Sequence, residues 1–142
     1  MTVKLNGKKS SKSAGCASSV LEGCKSILEK YGITFPQKFR CGTVNIELTE
    51  DFITPDWNNI IHIHGCEIHK VYPRGTFREC WDLIPIVSVN NKVINGYIYR
   101  TTTNYHGNSV VELLAEDLTK KGISTENSAS FEIVLDDIVL TK

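Results

Sequence analysis

Cys41-Gly42-Thr43-Val44-Asn45-Ile46-Glu47-Leu48 is the stretch whose reading decides the fold. Past Gly42 the apolar residues Val44, Ile46 and Leu48 recur with period two, which predicts a strand with that face inward and Thr43, Asn45 and Glu47 on the other. Two neutral side-chain oxygens then point the same way from neighbouring positions. Hard cations such as magnesium take oxygen ligands, commonly one or two from the protein, with water and substrate phosphates filling the rest. Thr43 and Asn45 suit that purpose. The alternative is that they occupy the solvated face of an amphipathic strand.

Outward from this strand, the chain reads as many short strands separated by turns. On the N-terminal side Val3-Lys4-Leu5 is a short strand, and Gly7 to Gly15 is a polar stretch rich in turn formers. Ser19 and Glu22 form a capping box for a helix in which Val20, Cys24, Ile27 and Tyr31 recur at helical spacing, ended by Gly32. A lysine-bearing loop therefore feeds a helix N-terminus, an arrangement that suits an anion but is also common in ordinary loops. On the C-terminal side, Ile60 to His64 and Ile68 to Tyr72 flank Gly65 as a hairpin or one bulged strand. Leu83 to Val89 and Val93 to Tyr99 flank Asn90-Asn91 as a tight hairpin. Val110 to Ala115 is nearly all apolar, as a strand covered on both faces is. Glu116 to Lys121 is one helical turn stopped by Gly122, and Phe131 to Leu135 and Ile138 to Leu140 are the last strands. The expected fold is mainly β, a small barrel or sandwich in one domain over residues 1–142, with one substantial N-terminal helix outside it.

Composition narrows the function classes. With 16 basic and 16 acidic residues the net charge is zero, so no overall positive field holds a nucleic acid. The charge is uneven: Lys4, Lys8, Lys9 and Lys12 stand without an acid in residues 1–21, whereas Glu112 to Asp137 carries seven acids against Lys120 and Lys121. Cys16, Cys24, Cys41, Cys66 and Cys80 are odd in number and form no Cys-x-x-Cys pair, which argues against a disulfide framework and a structural zinc site. Neither a membrane-length apolar run nor a hydrophobic signal core is present, so a soluble, cytoplasmic protein is expected. No protein partner can be inferred.

Two side-chain groups stand out. Glu112 is the sole charge in its apolar strand and needs partners or a wet rim. His62-Ile63-His64-Gly65-Cys66-Glu67 with His69 is similar to the His-x-His…Glu ligand set of cupin metalloproteins, one residue short. In a regular strand His62 and His64 face away from Glu67 and His69, and a bulge at Gly65 reunites them.

Gly42-Thr43-Val44-Asn45-Ile46-Glu47-Leu48 resembles the Gly-Thr-Leu-Asn-Val-x-Leu signature of the archaeal-type, CTP-dependent riboflavin kinases. Two further blocks, Tyr99-Arg100-Thr101-Thr102-Thr103-Asn104-Tyr105-His106 and Val110-Val111-Glu112-Leu113-Leu114-Ala115-Glu116-Asp117-Leu118, resemble that family's Arg-Pro-x-Arg-Thr-His-His and Val-Val-Glu-Ile-Ile-Ala-Pro-x-x-Leu segments. The similarity runs from about Ser10 to Leu135. It implies a six-stranded Greek-key, cradle-loop barrel and transfer of the CTP γ-phosphoryl group to riboflavin, giving FMN and CDP. It implies Thr43 and Asn45 as magnesium ligands, and Asn104 and Glu112 as flavin contacts. Nucleotide contacts are implied at Lys12, Ser13, Ala14, Gly15, Cys16, Ala17, Asp117, Leu118, Thr119 and Lys120. The chain departs from the family where Ser10 to Gly15 replaces a glycine-rich loop, and where Thr101 and Glu116 replace prolines. A flavin- or nucleotide-binding domain without catalysis is the alternative, and a cupin-like metalloprotein the second.

Overall fold

The computed structural model describes residues 2–10, 29–30, 44–70, 75–101 and 107–137, with the side chains of 65–70, 75–79 and 101 left aside. Eight strands account for most of these: β1 (Thr2–Lys9), β2 (Val44–Leu48), β3 (Ile61–Lys70), β4 (Gly75–Val89), β5 (Lys92–Val93), β6 (Gly96–Thr101), β7 (Val110–Ala115) and β8 (Ser130–Asp136). A 3-10 helix, Leu118–Lys121, links β7 to β8. Pairing runs β3-β4-β6-β7-β2-β1-β8, all antiparallel, and β8 returns to β4. The six strands β4, β6, β7, β2, β1 and β8 therefore close into a barrel.

Closure depends on how β4 changes partners. Its first part pairs with β3 as far as Leu83, and Trp81 to Pro85 pair with β6. Pro85 has no N–H to donate, and the register then shifts between Ile86 and Ser88, leaving Val87 43% exposed at the irregularity. From Ile86, opposite Leu135, β4 takes β8 as partner on both sides of the shift, with Val89 opposite Ile133. Gly7 serves the other seam. A Cβ there would run into the Glu47 carbonyl oxygen and come within 2.9 Å of Ile46 Cγ2, so only glycine lets β1 cross β2 this closely.

Inside the barrel, Leu5, Ile46, Leu48, Ile84, Ile86, Ile98, Val111, Leu113, Phe131, Ile133 and Leu135 form the core, joined by Phe52, Ile60, Leu118 and Ile123 from the connections. Full burial of each such side chain contributes about 1.5–3 kcal/mol before conformational entropy is counted. A second buried set, Ile63, Trp81, Leu83, Tyr99 and Leu114, lies apart from that core. Strand alternation puts it on the outer face of β3, β4, β6 and β7. This explains why β7 is apolar along almost its whole length.

Several sequence expectations need correction. The opening strand is not Val3 to Leu5 but runs to Lys9, because Gly7, Lys8 and Lys9 are held by β2 and β8. Of the two alternatives for the segments flanking Gly65, the bulged strand is found: Ile61–Lys70 is one strand with its register shift between Ile63 and Cys66, and Tyr72 lies outside the described residues. The Asn90-Asn91 turn is as expected, with φ of 50° and 64°. Gly122 ends the helical turn in a left-handed conformation, φ 76°. The predicted Ser19 to Tyr31 helix lies outside the described residues except for Glu29 and Lys30, which are helical and exposed. Ile138 to Leu140 also lies outside them. Among the described residues no helix is long and apolar enough to cross a membrane.

Candidate functional site

On the outer wall of the barrel one register row runs from β4 to β2: Leu83 opposite Tyr99, Tyr99 opposite Glu112, and Glu112 opposite Asn45. Directly opposite residues in an antiparallel pair hold their Cβ atoms about 4.5–5.5 Å apart, so Asn45 and Glu112 leave the sheet side by side. The Trp81 ring meets Tyr99 edge to face, with centroids 5.1 Å apart. Trp81 is fully buried, and no acceptor for its Nε1 is found among the described residues.

Asn45 corrects the sequence reading. It does lie on the face opposite Ile46, but that face is not solvated there, and Asn45 is only 6% exposed. Glu47, the next residue on the same face, is exposed. The strand is therefore wet at one end and covered at the other. The Asn45 backbone carbonyl accepts a hydrogen bond from Ser10 N–H at 2.8 Å, which ties the end of β1 to this position.

A pocket of about 280 Å³ opens at the adjoining barrel end. Val44 and Leu113, register partners one step along from Asn45 and Glu112, form part of its wall. Lys9, Ala115, Glu116, Asp117, Leu118, Thr119 and Thr125 complete it. Asp117 caps the 3-10 turn: its Oδ1 accepts from the Thr119 backbone N–H at 3.1 Å and from the Thr119 hydroxyl. The side-chain bond from Thr119 is the main reason that the Asp117 carboxyl sits below its ordinary pKa, with Lys120 a smaller contributor. Glu116 accepts from Asn95 N–H at 2.9 Å and faces Lys121 at 3.6 Å. Lys9 Nζ donates to Asn127 Oδ1 at 3.0 Å. Two acids thus line the pocket against one lysine, a balance that suits the hydroxyls and amines of a nucleoside better than a bare triphosphate.

Of the expected site residues, the fold pairs Asn45 with Glu112 on the outer wall and places Asp117, Leu118 and Thr119 in the wall of the pocket. Lys120 is exposed beside the pocket and is not part of its wall. Thr43, Asn104 and the run Lys12, Ser13, Ala14, Gly15, Cys16 and Ala17 lie outside the described residues. For magnesium, Asn45 supplies one neutral oxygen donor of the right kind, and its expected co-ligand Thr43 lies outside the described residues.

No protein-family model matches this chain, and no curated protein matches it. Its function must therefore be argued from its own residues.

A second group went unread in the sequence. His62 on β3, Asp82 on β4 and Arg100 on β6 are register partners in a row. His62 Nδ1 lies 2.6 Å from Asp82 Oδ1. Arg100 is 8% exposed; its Nη1 donates to the Phe52 carbonyl at 2.8 Å and to the Thr54 hydroxyl at 3.0 Å, and its guanidinium stands 5.2 Å from the Phe52 ring centre. Burial lowers the Arg100 pKa, and the Asp82 charge opposes that effect. Twenty residues separate His62 from Asp82, so only strand register could have revealed the pair. As for the cupin-like set, the bulge changes the pairing parity, so that Glu67 and His69 fall opposite Arg78 and Thr76, on the same parity as Asp82 opposite His62. Among the described residues, no three His, Cys, Asp or Glu side chains gather as a metal site.

Proposed function

We propose that this protein is a phosphotransferase of the CTP-dependent riboflavin kinase type, built on that family's Greek-key barrel with its N-terminal helix. The observation that carries the reading is the Asn45–Glu112 register pair beside a pocket walled by Asp117, Leu118 and Thr119. Asn45 and Glu112, far apart in the chain, are register partners, and the next pair on the same strands, Val44 and Leu113, belongs to the pocket wall.

In this reading the nucleoside of CTP occupies the pocket, with its hydroxyl and amino groups toward Asp117, Thr119 and Glu116. Asn45, with Thr43, holds magnesium, which when bound neutralises phosphate charge. Glu112 accepts a hydrogen bond from riboflavin, and Tyr99 and Trp81 stiffen the wall behind it. The 5′-hydroxyl of riboflavin attacks the γ-phosphorus, the bond to the β-phosphate oxygen breaks, and FMN and CDP leave. Such a transfer asks the protein chiefly for positioning and charge stabilisation, so no side-chain nucleophile is required.

The acidic pocket wall favours a second reading, a flavin- or nucleotide-binding domain without catalysis, because Glu116 stands where the family has a proline. Incubation with riboflavin, magnesium and either CTP or ATP, followed by chromatography, separates the two. FMN formed with CTP supports the kinase. Riboflavin fluorescence quenched on binding, with no FMN from either donor, supports the binding domain.

A further inference from the structure

Away from the pocket, toward the opposite ends of β6 and β7, His62 and His64 stand two residues apart on β3, His62 in register with Asp82 and His64 at the bulge between Ile63 and Cys66. Both are exposed, and their rings are nearly parallel, 23° between planes, with centroids 6.4 Å apart. Asp82 fixes one of them. An ionised carboxylate only accepts, so the His62 nitrogen that faces it at 2.6 Å carries the proton, and in the neutral ring the lone pair is then on Nε2. That is the carboxylate–histidine arrangement that orients imidazole ligands of metal ions. Asp82 is itself the register partner of the buried Arg100, whose charge it feels.

We propose that His62 and His64 form a two-imidazole chelate for a divalent transition ion of the zinc, nickel and copper group, with Asp82 as the outer carboxylate that positions His62. Imidazole nitrogen suits these ions, whereas magnesium and calcium prefer oxygen. Metal–nitrogen bonds of about 2.1 Å fit between rings at this separation once the exposed His64 turns toward its neighbour. Two protein ligands leave the other coordination positions to water or to a ligand from outside, so the site is an open one. It is independent of the phosphotransfer reading and shares no residue with it.

Calorimetry of the full chain with nickel chloride, and separately with zinc chloride, tests the site. One ion is expected to bind, with His62→Gln and His64→Gln each weakening affinity at least tenfold. Asp82→Asn is expected to weaken it by about 10–100-fold, as loss of an outer carboxylate does. Copper should broaden the ring-proton NMR signals of His62 and His64 before those of other residues. Both histidines are exposed, so urea midpoints of their variants should match the parent. Nickel and zinc binding unchanged in both histidine variants would overturn the proposal and move the ion to the cysteines.

Discussion

Asn45 on β2 and Glu112 on β7 are register partners, placed side by side on the outer wall of the barrel at positions 45 and 112 of the chain. Their neighbours one step along, Val44 and Leu113, belong to the wall of the pocket. The pair faces outward, and the next pair on the same two strands faces the interior and the pocket, so the two features back onto one another across one ladder. The proposed function rests on this adjacency.

Replacement of Glu112 by Gln keeps the shape and removes the charge. A charge-assisted hydrogen bond contributes about 1.5–3 kcal/mol, so riboflavin affinity should fall by about tenfold or more, read as fluorescence quenching. The urea midpoint should move little, because Glu112 is only partly buried. Undiminished riboflavin binding would remove Glu112 from the flavin site.

Asn45→Ala should act twice. Weakened magnesium-nucleotide affinity in calorimetry follows from its proposed role. A stability loss of about 1 kcal/mol in urea follows from its burial, because truncating a side chain that is 6% exposed leaves its space unfilled. Parent-like nucleotide affinity, with only the stability loss, would make Asn45 purely structural.

Arg100 anchors the loop after β2 through Phe52 and Thr54. Arg100→Leu should cost about 2 kcal/mol or more, since it removes charged hydrogen bonds from a buried site and leaves the Phe52 carbonyl and Asp82 without their cation. A urea midpoint equal to that of the parent would contradict this.

Asp117 gives a pH prediction with a definite sign. Its folded pKa is depressed chiefly by the Thr119 hydroxyl, so its contribution to stability is complete above the ordinary aspartate value of 3.8 and is lost as pH falls through the lower folded value. Carboxyl NMR titration should give a midpoint below 3.8, raised by Thr119→Ala. A midpoint unmoved by that substitution would exclude the Thr119 bond as the cause.

Local periodicity made most of the strands readable. Val44, Ile46 and Leu48 alternate as the barrel interior requires, and Asn90-Asn91 and Gly122 mark turns by their tolerance of positive φ. What periodicity does not contain is the face beyond the strand. Asn45 and Glu47 share a face in the pattern, yet one is covered and the other wet, a difference that strand alternation does not encode. The extension of β1 through Gly7 was hidden for a similar reason: glycine and two lysines look like a turn until two flanking strands supply their hydrogen bonds. The His62–Asp82–Arg100 row belongs wholly to register, which is a property of three strands together. Thr43, Asn45 and Glu112 stand out in the strand pattern as polar groups, but the phosphotransfer role proposed for them comes only from the family resemblance.

The most direct measurement is an amide NMR titration of the full chain with CTP and magnesium, followed by riboflavin. The account predicts that CTP first shifts Val44, Asn45, Leu113 and the run Asp117 to Thr119, and that riboflavin then shifts Glu112 and Tyr99. Absence of shifts at these residues, or shifts confined to other strands, would contradict the site and the function proposed for it.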